Sequence, residues 1–380
     1  MIFKIVLDWI NKINKIYLLI VLLIPHLALS QVNIKISIEN QQDSLLFFSK
    51  YRGSKINTID TLYIKKGVFQ VKQTTKLPEG IYLLQNKYGF PLTEVLIGKD
   101  QKFSMIINDL DTINPIRVKG CKESDNYARM MTELQKGDVD LNQFKVKKKD
   151  ALINLVIKSL KKRDFEHYWD GFPLDDKRVL TYPLIDNKLE TYFDNLYANA
   201  EKINETIDKL IANTGDCVEV RDYLIWYFYR KYYSPKYMNL DDVYIHLVDE
   251  YFLKLEMDNV SESIVNLMAD RARYLEHLKI GAKLPNIGNL HSIESEYIAV
   301  IFYDKTCQKC AKEGRILEET KKRHPEMVIF PVEVHSTDAS NLFSIYDIQS
   351  TPMIYVLDKN KKIIAKRIKA EQVEQFLNMD

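Results

Sequence analysis

Residues 297–303, Tyr-Ile-Ala-Val-Ile-Phe-Tyr, lead directly into the motif Cys307-Gln308-Lys309-Cys310, and this stretch decides the fold of the C-terminal part of the chain. The apolar run predicts a buried strand, and the sequence from Cys310 to Arg323 predicts a helix that a proline then ends. Further along, Ser350-Thr351-Pro352 stands just before a second apolar run at residues 353–357. A Cys-x-x-Cys pair between a strand and a helix, followed by Thr-Pro and another strand, is typical of a redox site.

The two cysteines of this motif have different predicted roles. The first turn of a helix has unpaired N–H groups and the positive end of the helix dipole, so a sulfur there is stabilised as the thiolate that attacks disulfides. We therefore predict that Cys307 is the nucleophile. Cys310, one turn deeper, is predicted to be the resolving thiol that releases the partner. The positive charge of Lys309 is expected to favour the Cys307 thiolate.

A structural zinc site and an inert structural disulfide are the alternatives to a redox-active pair. A zinc site needs two more ligands at suitable spacing, and the sequence has no second Cys-x-x-Cys and no Cys/His pair. The histidines show no HxxxH or HExxH spacing, so we predict no metal site and no cofactor besides the Cys307–Cys310 redox pair. Cys121 and Cys217 either bridge two regions of the chain or, as we favour, are separate thiols.

The first thirty residues have the features of a secretory signal. Lys4, Lys12 and Lys15 precede an apolar stretch at residues 16–29, and Ala28-Leu29-Ser30 fits a small-x-small cleavage site. We therefore predict cleavage after Ser30 and export to the periplasm or cell envelope, an oxidising compartment in which a dithiol is redox-relevant. The alternative is an uncleaved segment that anchors the protein, although the stretch is short for a transmembrane helix.

The net charge argues against nucleic acid as a partner. The chain has a formal net charge of +2 at pH 7. Loss of the predicted signal, which contains three Lys and one Asp, would leave a charge of about zero. Proteins that bind nucleic acid generally present a clearly basic surface, so we expect none as a partner.

Two regions precede the redox motif. Residues 32 to about 120 contain short alternating or apolar runs typical of an antiparallel sandwich or barrel, with a hairpin predicted at Lys65-Lys66-Gly67. The predicted strands lie at residues 32–38, 62–64, 68–71, 80–84, 94–97 and 102–107.

Residues 125 to about 280 have helical periodicity. A helix between Ser261 and Gly281 is predicted to bury Ile264, Leu267, Met268, Leu275 and Leu278, and another to bury Ile203, Ile207, Leu210 and Ile211. The aromatic tract 223–237 is interpreted mainly as helix packing, with a partner-binding groove as the alternative.

After the dithiol helix, the sequence predicts a strand at residues 327–334, a short helix at 341–346, strands at 353–357 and 362–366, and a terminal helix. This βαβαββα order fits a thioredoxin core. Residues 285–380 resemble a thioredoxin-like domain of the secreted TlpA/ResA thiol–disulfide oxidoreductases, through Cys307, Cys310 and Thr351-Pro352. The resemblance implies that Pro352 is cis and lies against the dithiol, and that the Thr351 backbone pairs with a substrate strand.

The upstream regions resemble two domains that accompany this module in Bacteroidota envelope proteins. Residues 31–124 resemble DUF4369 through Asp60-Thr61, Gly67-Val68-Phe69 and Gly80-Ile81-Tyr82. Residues 125–280 resemble DUF5106 through Tyr168-Trp169-Asp170. The predicted fold is thus multi-domain, α+β and α/β. A signal peptide at 1–30 precedes an antiparallel β-sandwich-like domain at 31–124, a helical domain at 125–280 and a thioredoxin-like domain at 281–380.

Two departures from the thioredoxin pattern stand beside the dithiol. Thr306 replaces the usual Trp, so the surface next to the nucleophile is smaller and more polar. Ile301 stands six residues before Cys307, where many thioredoxins bury an Asp. The usual acceptor for the Cys310 proton is therefore missing, and water or another group must assist.

The combined prediction is thiol–disulfide exchange on protein substrates. The resemblance favours a reductase whose partners are protein thiols or disulfides and a membrane or envelope electron donor. The alternative is an envelope binding or scaffold protein whose thioredoxin module is catalytically weak or vestigial. Ile301 and Thr306 favour that alternative, whereas the intact cysteine pair and Thr351-Pro352 oppose it.

Overall fold

The computed structural model describes residues 30–39, 43–108, 110–111, 113, 115–196, 199–254, 257, 260–335 and 341–377. The chain divides into two compact units: one runs to residue 190 apart from 174–176, and the other contains 174–176 and the chain from 191 onward. The predicted signal peptide at 1–30 lies, apart from Ser30, outside the described residues. No helix in the described ranges combines the length and apolar character needed to cross a bilayer.

The first unit contains two four-stranded sheets, in the orders β4-β1-β7-β8 and β3-β2-β5-β6. Apolar residues from both sheets form one buried cluster, in which Ile34, Phe48, Phe69 and Leu84 are fully buried. The sandwich-like architecture agrees with the prediction, because strands with one apolar face must bury it against a second layer. The strands are β1 (Val32–Ile38), β2 (Leu45–Arg52), β3 (Lys55–Tyr63), β4 (Phe69–Gln73), β5 (Gly80–Gln85), β6 (Pro91–Ile97), β7 (Lys102–Ile107) and β8 (Ile116–Lys119).

One expectation for this unit was wrong. The sheets are not wholly antiparallel, because β1 pairs with β7 in parallel, with Asn33 opposite Lys102. After β1 the chain passes through strands of the second sheet and then returns to the first. Because of this long connection, β7 can lie beside β1 and run in the same direction. The tract Lys65-Lys66-Gly67 does form a turn, with a bridge between Lys65 and Val68. The hairpin turn predicted at this tract is therefore present, although β3 and β4 continue from it into different sheets.

The unit continues with helices α1 (Lys122–Lys136) and α2 (Leu152–Leu160). Helix α3 (Leu184–Asn195) contains the division between the two units.

The second unit begins with helices α4 (Ala200–Ala212), α5 (Val218–Tyr233), α6 (Asp241–Leu247) and α7 (Glu262–Glu276). Helix α4 buries the predicted face: Ile203, Ile207, Leu210 and Ile211. In the aromatic tract, Phe228 and Tyr232 are buried in α5, whereas Tyr233 and Tyr237 are 41% and 48% exposed.

The prediction for α7 was partly wrong. Ile264 and Leu267 are 43% and 69% exposed, whereas Met268, Leu275 and Leu278 are buried. Burial starts at Met268 because only the C-terminal half of the helix packs against neighbouring elements. The helix also ends at Glu276, before the expected stop at Gly281.

The remaining elements of this unit are β9 (Tyr297–Tyr303), α8 (Gln308–Arg323), β10 (Met327–Glu333), α9 (Leu342–Ile345), β11 (Met353–Asp358), β12 (Ile363–Lys366) and α10 (Ala370–Val373). The sheet order is β10-β9-β11-β12, with β10 parallel to β9 and with β11 and β12 antiparallel. This is the topology of a thioredoxin core, and the predicted βαβαββα order is confirmed. Alternate residues of β9 enter different apolar clusters, so the sheet is covered on both faces.

Candidate active site

The dithiol lies at the N-terminus of α8, as the sequence predicted. Cys307 is the N-cap residue, with extended backbone angles (φ −83°, ψ 109°), and its Sγ accepts a hydrogen bond from the Cys310 backbone N at 3.1 Å. A residue at this position has its side chain directed at the unpaired N–H groups of the first turn. The fold therefore brings the sulfur of Cys307 to the positive end of the helix dipole.

Asp304 holds the turn that leads into this helix. Its Oδ1 accepts hydrogen bonds from the Thr306 backbone N and Oγ1, both at 2.7 Å. Its backbone O accepts from the Cys307 N at 3.1 Å. Hydrogen bonds from Thr306 lower the pKa of the Asp304 carboxyl, and His335 Nε2 lies 3.1 Å from its Oδ2. Sequence reasoning assigned no site role to Asp304 or His335. An Asp side chain commonly accepts a hydrogen bond from the backbone two residues on and so forms a turn, and this signal could have identified Asp304.

The Thr351–Pro352 peptide bond is cis, as the resemblance implies. The Thr351 backbone O lies 3.8 Å from Cys307 Sγ, so the loop faces the predicted nucleophile. Thr351 and Pro352 are both half-buried, and β11 begins at the next residue, Met353, which pairs with Phe302 of β9. The structure thus brings all four of the predicted residues Cys307, Cys310, Thr351 and Pro352 to one end of the sheet.

The pKa values of the two thiols are shifted in opposite directions, as thiol–disulfide exchange requires. Hydrogen bonding from the Cys310 thiol, and then from the backbone N–H groups of Cys310 and Lys309, lowers the pKa of Cys307. Burial raises the pKa of Cys310, which is 5% exposed. The Lys309 side chain is exposed, and its backbone N–H is the part that contributes here. Tuning by the Lys309 charge stays a prediction.

We expect the two thiols to be alkylated in different pH ranges. A thiol reacts as its thiolate, so Cys307 should label with iodoacetamide at a midpoint below the free value of about 8.5, and Cys310 above it. The measurement is the rate of labelling from pH 5 to 10, with mass spectrometry to locate the adduct. Cys307→Ser is the control for the Cys310 rate. A Cys307 midpoint at or above the free value would contradict the prediction.

A groove of about 600 Å³ lies beside both thiols. Its wall contains Cys307 and Cys310 together with Ile301, and the carboxylates of Asp304 and Glu318 also line it. The groove gives solvent access to the wall that contains Cys310. Ile301 of β9, which stands where many thioredoxins bury an Asp, is part of the same wall. The groove thus offers a route by which water can reach the dithiol.

Cys307 and Cys310 are not joined by a disulfide in the structure, and Cys121 and Cys217 are not joined to each other. Cys121 is buried in the first unit, where it lies 3.2 Å from the Ser124 Oγ, and Cys217 is half-buried before α5 in the second unit. Among the described residues, no group of three or more His, Cys, Asp or Glu side chains is arranged to hold a metal ion.

Residues 32–127 match the family model for a domain of unknown function, DUF4369. The predicted resemblance of the N-terminal region to this family is thereby confirmed. A comparison of the sequence with curated proteins finds no match.

Several of the similar solved structures are of bacterial proteins. A thioredoxin-like protein from Bacteroides caccae is 17% identical, with a TM-score of 0.47, and the match covers 56% of this chain and 90% of that one. The thioredoxin domain of a thiol-disulfide oxidoreductase from Bacteroides vulgatus is 20% identical over 25% of this chain and 93% of its own, with a TM-score of 0.23. A domain of a possible thiol-disulfide isomerase from Cytophaga hutchinsonii is 26% identical over 26% of this chain and 90% of its own, also with a TM-score of 0.23.

Proposed function

We propose that this protein is an exported thiol–disulfide oxidoreductase that reduces disulfides in protein substrates of the cell envelope. The observation that supports the proposal most is the position of Cys307 Sγ, which lies 3.1 Å from the Cys310 N and 3.8 Å from the Thr351 O. A sulfur placed there is activated as thiolate and faces a loop whose backbone can align a substrate strand.

The proposed reaction has two exchange steps. The Cys307 thiolate attacks one sulfur of the substrate disulfide; a bond from Cys307 to that sulfur forms, and the other substrate sulfur leaves as thiolate. Cys310 then loses its proton to water in the groove and attacks the Cys307 sulfur, which releases the first substrate sulfur. The Cys307–Cys310 disulfide forms as the substrate gains two electrons. A membrane or envelope electron donor must then supply two electrons to reduce the Cys307–Cys310 disulfide again.

The finer assignments belong to the same proposal. The module is of the TlpA/ResA type, the helical region is DUF5106-like, and the chain is cleaved after Ser30 and acts in the periplasm or envelope without metal or bound cofactor. The proposed domains remain 31–124, 125–280 and 281–380. Ile301 favours a second candidate, a binding or scaffold protein with a weak module, because the usual acid near Cys310 is missing.

Insulin-disulfide reduction and the reduction potential test the proposal. We expect the protein to accelerate the precipitation of insulin by dithiothreitol, and we expect the protein alkylated beforehand with iodoacetamide to be inactive. A reductase should have a potential near that of thioredoxin, about −270 mV, whereas a strong oxidant lies near about −120 mV. Absence of turnover, together with ordinary thiol reactivity at Cys307, would favour the scaffold candidate.

A further inference from the structure

A buried chain of five charged side chains lies in the second unit, between the helices and the thioredoxin core. Its order is Arg271, Asp347, Arg367, Asp241 and Lys366, in which cations and carboxylates alternate. Their side-chain exposures are 13%, 5%, 13%, 3% and 0%. Three cations against two carboxylates leave an excess positive charge. Buried ion pairs contribute little net stability, because the charges lose their hydration. This network is therefore a candidate for positioning a part of the fold.

Arg271 in α7 contacts both a carboxylate and two aromatic rings. Its Nε and Nη2 donate to the two carboxylate oxygens of Asp347 at 2.7 and 3.1 Å, and Nη2 also donates to the Tyr233 backbone O at 2.7 Å. The guanidinium carbon lies 3.9 Å from the ring centre of Tyr233 and 4.4 Å from that of Tyr244. Only Arg can combine a bidentate carboxylate contact with stacking on aromatic rings. Helices α5, α6 and α7 all contribute to this contact.

Asp347 connects this contact to the cis-proline loop. It lies four residues before Thr351 and has a left-handed backbone conformation, with φ of 47°. The side chain of Gln349 is within hydrogen-bond distance of both the Tyr233 backbone O, at 3.4 Å, and Asp347 Oδ2, at 3.3 Å. The other end of the loop is fixed where Met353 pairs with Phe302 in the sheet. The loop is thus held by the sheet on one side and by the helices on the other.

We infer that Arg271 and Asp347 are positioning residues for peptide substrates, and that helices α5–α7 hold the cis-proline loop in its binding conformation. This inference rests on the proposed function, because it assigns the substrate-aligning edge of that same site. A loop fixed at both ends has little conformational freedom left to lose when a strand aligns on the Thr351 backbone. Loosening the Asp347 end should therefore weaken peptide binding while the chemistry at Cys307 is retained.

The test compares a peptide substrate with a small one in Arg271→Lys and Gln349→Ala. Lys keeps the charge but loses the bidentate contact, and Gln349 is exposed, so both variants should fold. We expect KM for insulin to rise by about tenfold, which corresponds to about 1.4 kcal/mol, with kcat within about twofold. The rate with 2-hydroxyethyl disulfide, which has no strand to align, should be unchanged. Arg273→Lys is the matched control, because Arg273 is on the same helix and 77% exposed.

Two kinetic outcomes would overturn the inference: an equal loss of activity on both disulfides, or an unchanged KM for insulin in both variants. Amide hydrogen exchange gives a readout that needs no turnover. Exchange of the Ile348 N–H, which donates to the Phe343 O at 2.9 Å, should speed up by about tenfold in Arg271→Lys and not in Arg273→Lys. Unchanged exchange in Arg271→Lys would refute the inference even if the protein is an oxidoreductase. A wild type inactive on insulin, with faster exchange in Arg271→Lys, would refute the proposed function and leave the positioning of the loop supported.

Discussion

Replacement of Cys310 by Ser is expected to trap substrate proteins on Cys307 as mixed disulfides. The first exchange step needs only the Cys307 thiolate, whose pKa is lowered by hydrogen bonds at the N-terminus of α8. Release of the adduct needs the second thiol, which the variant lacks. The measurement is non-reducing electrophoresis of envelope extracts, followed by reduction and identification of the released proteins. Turnover on insulin should be lost as well.

Cys307→Ser supplies the matched control for this experiment. Cys310 is then the remaining thiol of the pair, but it is buried and its pKa is raised, so it should trap few partners. Cys217→Ser should behave as the wild type, since Cys217 lies before α5 and outside the dithiol site. Equal trapping by Cys307→Ser and Cys310→Ser would show that the roles assigned to the two thiols are wrong.

The second large effect is expected at Asp241. This carboxylate accepts hydrogen bonds from Arg367 at 2.8 and 3.1 Å and also pairs with the fully buried Lys366. Asp241→Asn leaves two buried cations facing a neutral amide, so the free energy of unfolding should fall by about 3–5 kcal/mol. Urea denaturation followed by circular dichroism measures the change. The control is Asp242→Asn, because Asp242 is the next residue in α6 and forms an exposed pair with Lys279.

Lys366→Met should have a different outcome from Asp241→Asn. Burial lowers the pKa of Lys366, which reflects the cost of a charge in that position. Met has a similar length, and Asp241 keeps its two contacts with Arg367, so we expect a change within about 1.5 kcal/mol or a gain in stability. A loss as large as that of Asp241→Asn would mean that the Lys366 charge itself stabilises the network.

The thioredoxin core could be predicted because its signals are local. Continuous apolar runs identify β9 and β11. Cys307 follows the first run and Pro352 precedes the second, which indicates that the end of β9 lies near the start of β11. The structure agrees with these elements to within a few residues. Asp304 was missed because its role depends on the turn geometry, and His335 because its pairing with Asp304 joins two different strand ends.

The first unit was harder to predict because its pairings are long-range. Strand β3 has an exposed residue at each position from Lys55 to Asp60, so it lacks the alternation that identifies a half-buried strand. The direction of the β1–β7 pair depends on how the chain returns from the second sheet, which no local pattern encodes. The ion network could not be predicted for the same reason, since Arg271 and Asp347 come together only through packing of α7 near the cis-proline loop.

The position of β1 has a consequence for how the protein assembles. This strand is internal in its sheet, where it pairs with β4 on one side and β7 on the other. Its pairing from Asn33 to Lys102 closes a loop that contains strands β2 to β6. The entropy of closing such a loop must be overcome before the contact forms, and folds rich in contacts of this kind fold slowly. During synthesis, β1 therefore remains without one of its two neighbours until β7 has emerged, and its unpaired edge is open to association with other chains in that interval.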